Sequence, residues 1–335
     1  MKKITCISYH NTGSGAVDDF LREFKNLKFG PSNVECRFLQ DPYGISDLEF
    51  NLIDNWHRLN SSFYIKKYEK FIINNKRTYK LLFGKKWVAI SKEYVDSLIQ
   101  YKFKGYWHAE INEKPFFSRM VYKSRRAFSK LMPKKIRKTP DNNYFPRMVN
   151  YHTFISKEDF YLKTKKYVND LCELLVDSKD DIVVLDQFVS TTNIQRYNNY
   201  ADDLKIIIVD RDPRDLYLAG VSGKYKTHVL PHDVKIFCQQ YIDIRNSLSK
   251  ELSNKNVLKI QFEDLIYNYE DTTQKIIDFL ELNKDNHVDK YKFFNPNVSR
   301  KNTMLWKKYP RFSNEIKIIE KELSTYCYKN FKDGE

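Results

Sequence analysis

The chain has 335 residues, a mass of 40.3 kDa, a net charge of +15 and an isoelectric point near 9.3. Aromatic residues make up 15% of the chain, whereas glycine and proline number only 9 and 10, a composition that excludes low-complexity and disordered proteins. The charge predicts attraction to anions. No apolar run approaches the ~20 residues of a membrane span, so we expect a folded cytoplasmic protein. Its basic surface is compatible with peripheral contact with an anionic membrane.

The chain begins with a predicted strand, Ile4–Ser8, followed by a turn and a helix. The turn contains Thr12, Gly13, Ser14 and Gly15, and apolar residues recur behind it at helical spacing. Such a turn can present backbone N–H groups and two hydroxyls to a phosphate or sulfate at the helix N-terminus. The Gly-Lys-Ser/Thr of Walker nucleotide-binding proteins is absent, and a Gly-Ser turn is also common as simple punctuation between elements.

A second strand is predicted over Val34–Leu39, with Asp41 in the turn that follows it. We expect Asp41 on the same ligand-facing side as turn 12–15. Between about 48 and 150 the strand pattern ends, and helices rich in Lys, Tyr and Phe are predicted. Residues 101–150 hold thirteen Lys and Arg against three Asp and Glu. Because aromatic residues are interleaved with these charges, the pattern favours an anionic polymer or a sugar surface over a solvated helical face.

Three further strands are predicted, at Ile182–Leu185, Ile206–Val209 and Val257–Ile260. Their alternation with helices predicts an α/β fold, a parallel sheet flanked by helices. Arg211 follows the central strand, and Asp212 and Pro213 have the features of an N-cap and a first helical turn. Ligands of open α/β sheets bind beyond the carboxyl ends of strands, so Arg211 is a candidate for an anionic ligand group. The alternative is a surface arginine that pairs with Asp212 or Asp215.

Four short segments follow one another along the chain: the turn Thr12–Gly15, Arg211-Asp212-Pro213-Arg214-Asp215, Phe262-Glu263-Asp264-Leu265, and Arg300-Lys301 with Trp306 behind it. In this order they resemble segments of the nucleotide-dependent sulfotransferases, which transfer sulfuryl from 3′-phosphoadenosine 5′-phosphosulfate (PAPS) to an alcohol or amine. The first is similar to that family's 5′-phosphosulfate loop and the second to its 3′-phosphate segment. The third resembles its Tyr-Glu-Asp-Leu strand end, and the fourth resembles the loop that covers the cofactor.

The resemblance implies that PAPS is the donor, that adenosine 3′,5′-bisphosphate (PAP) is the product, and that no metal is required. The cofactor-binding residues that it implies are Asn11, Thr12, Gly13, Ser14, Gly15, Arg211, Ser222, Arg300, Lys301 and Trp306. Asn11 stands where the family usually has Lys or Arg. Ser222 is a candidate replacement for a family serine whose place is taken by Ala219.

Sulfuryl transfer needs in-line positioning, hydrogen-bond donors at the leaving group and a base on the acceptor hydroxyl. Three residues are candidates for this base: Asp41 after the second strand, His10 next to the first turn, and His57 in the following helix. Each also has a structural interpretation, since an aspartate can cap a turn and a lone histidine can serve packing alone.

The resemblance therefore predicts a single domain, 1–335, with a P-loop-like sulfotransferase fold. The helical insertion, 48–150, has no counterpart in that resemblance, and its charge and aromatic residues predict that it binds the acceptor. The bias toward Lys, Asn, Ile and Tyr is typical of an AT-rich bacterial genome, so we expect an anionic or saccharide acceptor such as a surface or capsular saccharide. Two other functions stay open: a nucleotide kinase, disfavoured by the missing Gly-Lys-Ser/Thr, and a non-catalytic module for polyanion or nucleic acid, compatible with Asn11. With a sulfotransferase, no nucleic-acid partner is expected.

Overall fold

The computed structural model describes residues 1–31, 34–105, 107–131, 133, 148–223, 229–248 and 254–331. The chain divides into two compact units. The first comprises 1–39, 81–84 and 168–335, and the second comprises 40–80 and 85–167. The predicted insertion, 48–150, belongs to the second unit apart from 81–84.

The strands are β1 Lys3–Ser8, β2 Leu27–Phe29, β3 Tyr101–Lys104, β4 Val149–His152, β5 Ile182–Val184, β6 Leu204–Asp210 and β7 Val257–Gln261. The helices are α1 Ser14–Leu21, α2 Ile45–Glu49, α3 Asn60–Asn74, α4 Lys76–Phe83, α5 Trp87–Leu98, α6 His108–Asn112, α7 Phe116–Leu131, α8 Lys157–Cys172, α9 Ile194–Asn198, α10 Pro213–Val221, α11 Val234–Leu248, α12 Asp264–Tyr267, α13 Tyr269–Leu280, α14 Pro296–Ser299, α15 Leu305–Lys308 and α16 Ser313–Glu322. Among the described residues, no helix combines the length and the apolar character needed to cross a bilayer.

A parallel sheet forms the centre of the first unit, and five of the described strands build it in the order β2-β5-β1-β6-β7. Strand β1 pairs with β6 along its whole length, from Lys3 opposite Leu204 to Ser8 opposite Val209. The β-branched run 206–209 of β6 is fully buried, as in strands covered on both faces. The predicted parallel α/β sheet with flanking helices is confirmed.

Alternate residues of the central strands face opposite sides of this sheet. Cys6, Ile207 and Val209 belong to a buried cluster that includes the apolar residues of α1 and α13. Ile206 and Ile208 point to the other face and are equally buried. A second buried cluster joins α10, α11 and α16. Since both faces of β6 are covered, only the strand ends leave room for a site.

The strand predicted over Val34–Leu39 is wrong, because the edge position beside β5 belongs to β2, Leu27–Phe29. Residues 34–39 run past the carboxyl end of β5 instead, where the Cys36 N–H donates to the carbonyl of Asp186 at 2.8 Å. Their apolar side chains are buried, which explains the strand-like sequence pattern. These side chains are thus buried although the segment does not form the regular hydrogen bonds of a strand with a neighbouring strand.

The second unit is mainly helical, as predicted for 48–150, but it also contains an antiparallel pair of strands, β3 and β4. Tyr101 lies opposite His152, and their rings stack with centroids 4.4 Å apart. All four residues of β3 are exposed, so the apolar pattern of a buried strand is missing from its sequence. The basic segment 101–150 lies partly outside the described residues, which omit its aromatic Tyr106 and the basic cluster Lys134, Lys135, Arg137 and Lys138.

Candidate functional site

The candidate site lies at the carboxyl ends of β1 and β6, which are neighbours in the sheet. The connection after β1 leads to β2 on one side of the sheet, and the connection after β6 leads to β7 on the other side. The loops after β1 and β6 therefore run in opposite directions and leave a crevice between them at the carboxyl ends of these strands. Open α/β sheets bind their ligands in such a crevice, where the direction of the strand order reverses. Turn 10–15 follows β1, and Arg211 follows β6.

Turn 10–15 has an unusual backbone, because His10, Asn11 and Gly13 have φ values of 74°, 55° and 106°. Side chains disfavour this region, and only glycine enters it freely. A Cβ at Gly13 would lie 2.6 Å from Cδ2 of Phe262, so the turn packs against that ring without room for a side chain. The turn therefore brings its bare backbone to the first turn of α1, which starts at Ser14.

The Thr12 side chain holds the turn in place. Its hydroxyl donates to the Val209 carbonyl on β6 and accepts the Tyr9 N–H at 3.0 Å, and the residue is fully buried. Ser14 is held differently, since Gln187 Nε2 donates to its hydroxyl oxygen at 2.8 Å and to that of Ser8 at 3.2 Å. The signal for Gln187 in the sequence is its position, three residues beyond the end of β5.

Arg211 connects three separate parts of the chain. Its guanidinium donates from Nη1 to the carbonyl of Asn11 at 3.4 Å and from Nη2 to the carbonyl of Asn302 at 2.5 Å. It also lies 5.2 Å from the ring centroid of Phe262. The side chain is only 4% exposed, and its Nε is buried without a hydrogen-bond partner among the described residues. All four segments that carried the family resemblance thus meet around one buried cation.

The late loop, 300–308, is held next to Arg211 by contacts with α10 and with Tyr267. Asp215 of α10 accepts the N–H groups of Met304 and Leu305 at 2.9 and 2.6 Å. The Arg300 guanidinium lies 5.1 Å from the ring centroid of Tyr267. These contacts fix the loop after α14. Lys301 is exposed, and its backbone carbonyl accepts a hydrogen bond from the Lys308 ammonium group at 2.9 Å.

Trp306 and Ser222, both predicted to bind cofactor, have structural partners. Trp306 lies under the Arg214 guanidinium, 3.8 Å from ring centroid to carbon. Ser222 ends α10, where its N–H donates to the Leu218 carbonyl at 3.0 Å, and it is half-buried. Trp306 therefore helps to hold the late loop, and Ser222 belongs to the far end of α10 rather than to its start at Arg211.

Buried acids surround Arg211. Burial raises the pKa of Asp215 to about 7 and that of Glu263 to about 8, and the positive charge of Arg211 opposes both shifts. Glu263 Oε1 accepts the Asp212 N–H at 3.0 Å, whereas its Oε2 is buried without a partner among the described residues. Beneath them, burial of Asp210 is outweighed by Arg245 and Lys259, which lower its pKa. Burial thus favours the protonated, uncharged form of Asp215 and Glu263, whereas Asp210 keeps its charge beside Arg245 and Lys259.

The three candidate bases lie in different units. His10 is an exposed residue of the first unit, and desolvation together with Arg37 lowers its pKa while Glu35 opposes the shift. Asp41 and His57 belong to the second unit. The Asp41 carbonyl accepts the Gly44 N–H at 2.7 Å. The prediction that His57 lies in a helix is wrong, because the exposed His57 belongs to the connection before α3, where its Nδ1 accepts the Leu59 N–H at 3.3 Å. Only His10 therefore shares a unit with turn 10–15.

No protein-family model and no curated protein sequence matches the chain. Among solved structures, the sulfotransferase domain of an olefin synthase from Synechococcus is 12% identical, with 88% of this chain and 78% of that chain aligned at a TM-score of 0.40. The sulfotransferase domain from the curacin biosynthetic pathway is 13% identical, with coverages of 96% and 97% and a TM-score of 0.41. A sulfotransferase of Mycobacterium tuberculosis is 8% identical, with coverages of 90% and 76% and a TM-score of 0.36. At such identities no residue role is carried over from those proteins.

Proposed function

We propose that the chain is a sulfotransferase that moves a sulfuryl group from PAPS to a hydroxyl or amine of an anionic or saccharide acceptor. The observation that carries this proposal is the meeting of four distant segments at Arg211. The Asn11 and Asn302 carbonyls accept its hydrogen bonds, and Phe262 lies beside it and against Gly13. If the resemblance of these short segments were due to chance, there would be no reason for the four segments to lie together in the fold.

The residues around Arg211 suit a nucleotide that carries one phosphate group at the 3′ position and another at the 5′ position. The bare backbone around Gly13 leads into the N-terminus of α1, where N–H groups and the helix dipole favour a phosphosulfate. Arg300 and Lys301 add positive charge for the 3′-phosphate, and the buried guanidinium of Arg211 adds its charge behind the turn. Asn11 supplies an exposed amide at the leaving group in place of a cation.

Transfer in this proposal follows a single displacement. An acceptor oxygen bonds to sulfur as the bond between sulfur and the bridging phosphate oxygen breaks, and PAP leaves with that electron pair. The acceptor proton passes to a base, for which Asp41, His10 and His57 are the candidates. His10 is suited to this role near neutral pH because its lowered pKa keeps it uncharged.

The acceptor is assigned to the predicted insertion, 48–150. Its segment 101–150 carries thirteen Lys and Arg against three Asp and Glu, an excess that attracts anionic polymers. A bacterial surface or capsular saccharide, modified in the cytoplasm, fits this charge.

Calorimetry with PAP tests the donor part of the proposal. We expect PAP to bind and to raise the melting temperature without magnesium, and ATP to bind poorly because it lacks the 3′-phosphate. Replacement of one cation should weaken PAP binding about tenfold or more, since charge-assisted hydrogen bonds contribute ~1.5–3 kcal/mol. Arg300→Ala is the informative variant because Arg300 is only half-buried, whereas Arg211→Ala also removes internal bonds.

Arg311→Ala is the matched control, since Arg311 is exposed and lies near Phe312 beyond the late loop. It should leave PAP affinity unchanged. Equal binding of ATP with a need for magnesium would indicate a kinase instead. Tight nucleic-acid binding that PAP does not alter would indicate a polyanion-binding module, and absence of PAP binding at millimolar concentration would refute the proposal.

A further inference from the structure

A cavity of about 480 Å³ lies within the second unit, between the turn after Asp41 and one face of α3. Its lining combines an acid, a proline, two aromatic rings, two amides and two cations: Asp41, Pro42, Tyr43, Lys67, Lys70, Phe71, Asn74 and Asn75. Sites for small polar ligands have this composition, with ring surfaces for packing and a few polar groups for orientation. The cavity also contains one of the three candidate bases, Asp41.

Tyr43 occupies a backbone conformation that disfavours a side chain. Its φ is 64°, directly after Pro42, in a turn closed by the Gly44 N–H and the Asp41 carbonyl at 2.7 Å. Glycine takes this turn position without strain. The Tyr43 N–H donates to Asp47 at 2.7 Å, which holds the strained turn in place. The ring packs on Tyr64, with centroids 6.4 Å apart, but 43% of the tyrosine remains exposed, so packing within the fold accounts for only part of this large ring.

Two cations adjoin this ring. The Lys67 ammonium lies 4.8 Å from the centroid of Tyr43 and 2.5 Å from a carboxylate oxygen of Glu113. Lys70 lies one turn further along α3 and is exposed. An anionic group placed beside Tyr43 would therefore share the Lys67 ammonium with Glu113 and would meet the exposed ammonium of Lys70 as a second cation.

We propose that this cavity binds a sugar ring that carries an anionic group, with the uronic acid as the favoured type. The face of Tyr43 packs on the C–H face of the sugar, and Lys67 and Lys70 bind the anion. Asn74 binds a hydroxyl through its amide and Asn75 through its Oδ1, since Nδ2 of Asn75 donates to the Phe71 carbonyl at 3.0 Å. The assignment of this sugar as the sulfuryl acceptor rests on the proposed function. Binding of the sugar does not, because it requires no donor.

Calorimetry on the full chain without nucleotide tests the site with three probes. These are a tetrasaccharide of alternating glucuronic acid and N-acetylglucosamine, the neutral tetrasaccharide of N-acetylglucosamine, and glucose 6-phosphate. We expect the acidic tetrasaccharide to bind at least tenfold more tightly than the neutral one, and Lys70→Met to reduce that difference. Tighter binding of glucose 6-phosphate would identify a phosphorylated sugar as the source of the anion.

Tyr43→Gly and Tyr291→Gly form a matched pair of variants. Tyr291 has a φ of 66° and is 44% exposed, but it lies in the first unit. Both variants relieve backbone strain, and Tyr291→Gly also removes an exposed hydrogen bond from its hydroxyl to Glu270 at 3.2 Å, so we expect each to lower the melting temperature by at most a few degrees. Only Tyr43→Gly should weaken binding of the acidic tetrasaccharide, by about tenfold.

Equal effects of the two variants, or no binding of any probe at millimolar concentration, would overturn the sugar site. If PAP still bound in that case, the proposed donor chemistry would stand and the acceptor would lie elsewhere. If the acidic tetrasaccharide bound but PAP did not, the sugar site would be supported and the proposed sulfotransferase function would be refuted.

Discussion

Gly13 lies where the backbone conformation and the packing both require a residue without a side chain. Its φ is 106°, and a Cβ would meet the Phe262 ring at 2.6 Å. We expect Gly13→Ala to destabilise the protein by about 1–3 kcal/mol and to weaken PAP binding, because the turn must move away from Phe262. Thermal unfolding and calorimetry with PAP measure the two effects.

Gly15 provides the control two residues away, since a Cβ at Gly15 would have no atom within 4 Å. Gly15→Ala should preserve stability or improve it slightly, because alanine favours the helix that Gly15 occupies. Equal losses in the two variants would show that any added side chain disturbs the turn, and that the contact with Phe262 is not the cause.

Glu263 makes stability depend on pH. Burial raises its pKa from an ordinary value of 4.5 to about 8, so the folded state favours the protonated carboxyl. The stability from this group is complete below pH 4.5 and is lost as the pH rises through about 8. Glu263→Gln cannot ionise and should therefore lose less stability than the parent protein between about pH 5 and 8.5, by on the order of 1–3 kcal/mol.

Urea unfolding at the two pH values measures this difference, with Glu270→Gln as the control. Glu270 is exposed, and its hydrogen bond to Lys290 lowers its pKa, so its titration lies below the tested range. A parent protein whose stability stays constant from pH 5 to 8.5 would contradict the assignment of a protonated Glu263.

At the scale of elements, Asp212 holds the start of α10 in place from several directions. One carboxylate oxygen accepts the Arg214 N–H at 2.8 Å, and the other accepts Arg214 Nη2 at 2.7 Å and the Tyr328 N–H at 2.8 Å. Since Asp212 is fully buried, we expect Asp212→Ala to cost about 3–5 kcal/mol, as for loss of one partner of a buried ion pair.

An exposed cap gives the comparison. Asp233 accepts the N–H groups of Lys235 and Ile236 at 2.9 and 3.0 Å at the start of α11. Asp233→Ala should cost about 1 kcal/mol, the usual value for a helix cap. Chemical denaturation of the two variants measures the gap, and similar losses would mean that Asp212 acts as a cap only.

The elements differ in how far their sequences determine them. The β6–α10 junction follows from local chemistry, because a buried β-branched run is followed by an N-cap and a proline in the first turn, and the structure confirms it. The alternating pattern of 34–39 reports burial correctly but not pairing, since the edge of β5 is taken by another segment. Strand competition of this kind depends on residues about 150 positions away, which no local pattern contains.

The candidate site divides in the same way. The position of Arg211 at the end of a central strand was predictable, but its hydrogen bonds to the Asn11 and Asn302 carbonyls were not. Asp215 was expected only as a surface partner for Arg211, yet it holds the late loop through two backbone N–H groups. Backbone partners of this kind carry no residue-type signal, so the sequence indicates the charged groups and not what they bind.

At the scale of the whole molecule, the uneven charge predicts salt-dependent binding of acidic saccharides. We expect binding of the glucuronic acid tetrasaccharide to weaken between about 50 and 300 mM salt, as exposed charges are screened. Reversal of Lys134, Lys135, Arg137 and Lys138 to Glu should weaken this binding and flatten its salt dependence while PAP binding persists.

Reversal of four exposed lysines elsewhere, Lys179, Lys235, Lys255 and Lys275, changes the net charge by the same amount. This control should have a much smaller effect on binding of the tetrasaccharide. Equal effects of the two reversals in the calorimeter would mean that total charge, rather than segment 101–150, attracts the acceptor.

The place of β1 in the sheet has a consequence for how the chain is made. Strand β1 comes first, but its two neighbours, β5 and β6, begin at Ile182 and Leu204. On the ribosome β1 therefore emerges long before either partner exists, and all segments of the second unit, 40–80 and 85–167, are synthesised in the interval. Closing such long loops slows folding, and an apolar strand that waits unpaired promotes aggregation. Newly made chains should therefore depend on chaperones until β6 has left the exit tunnel.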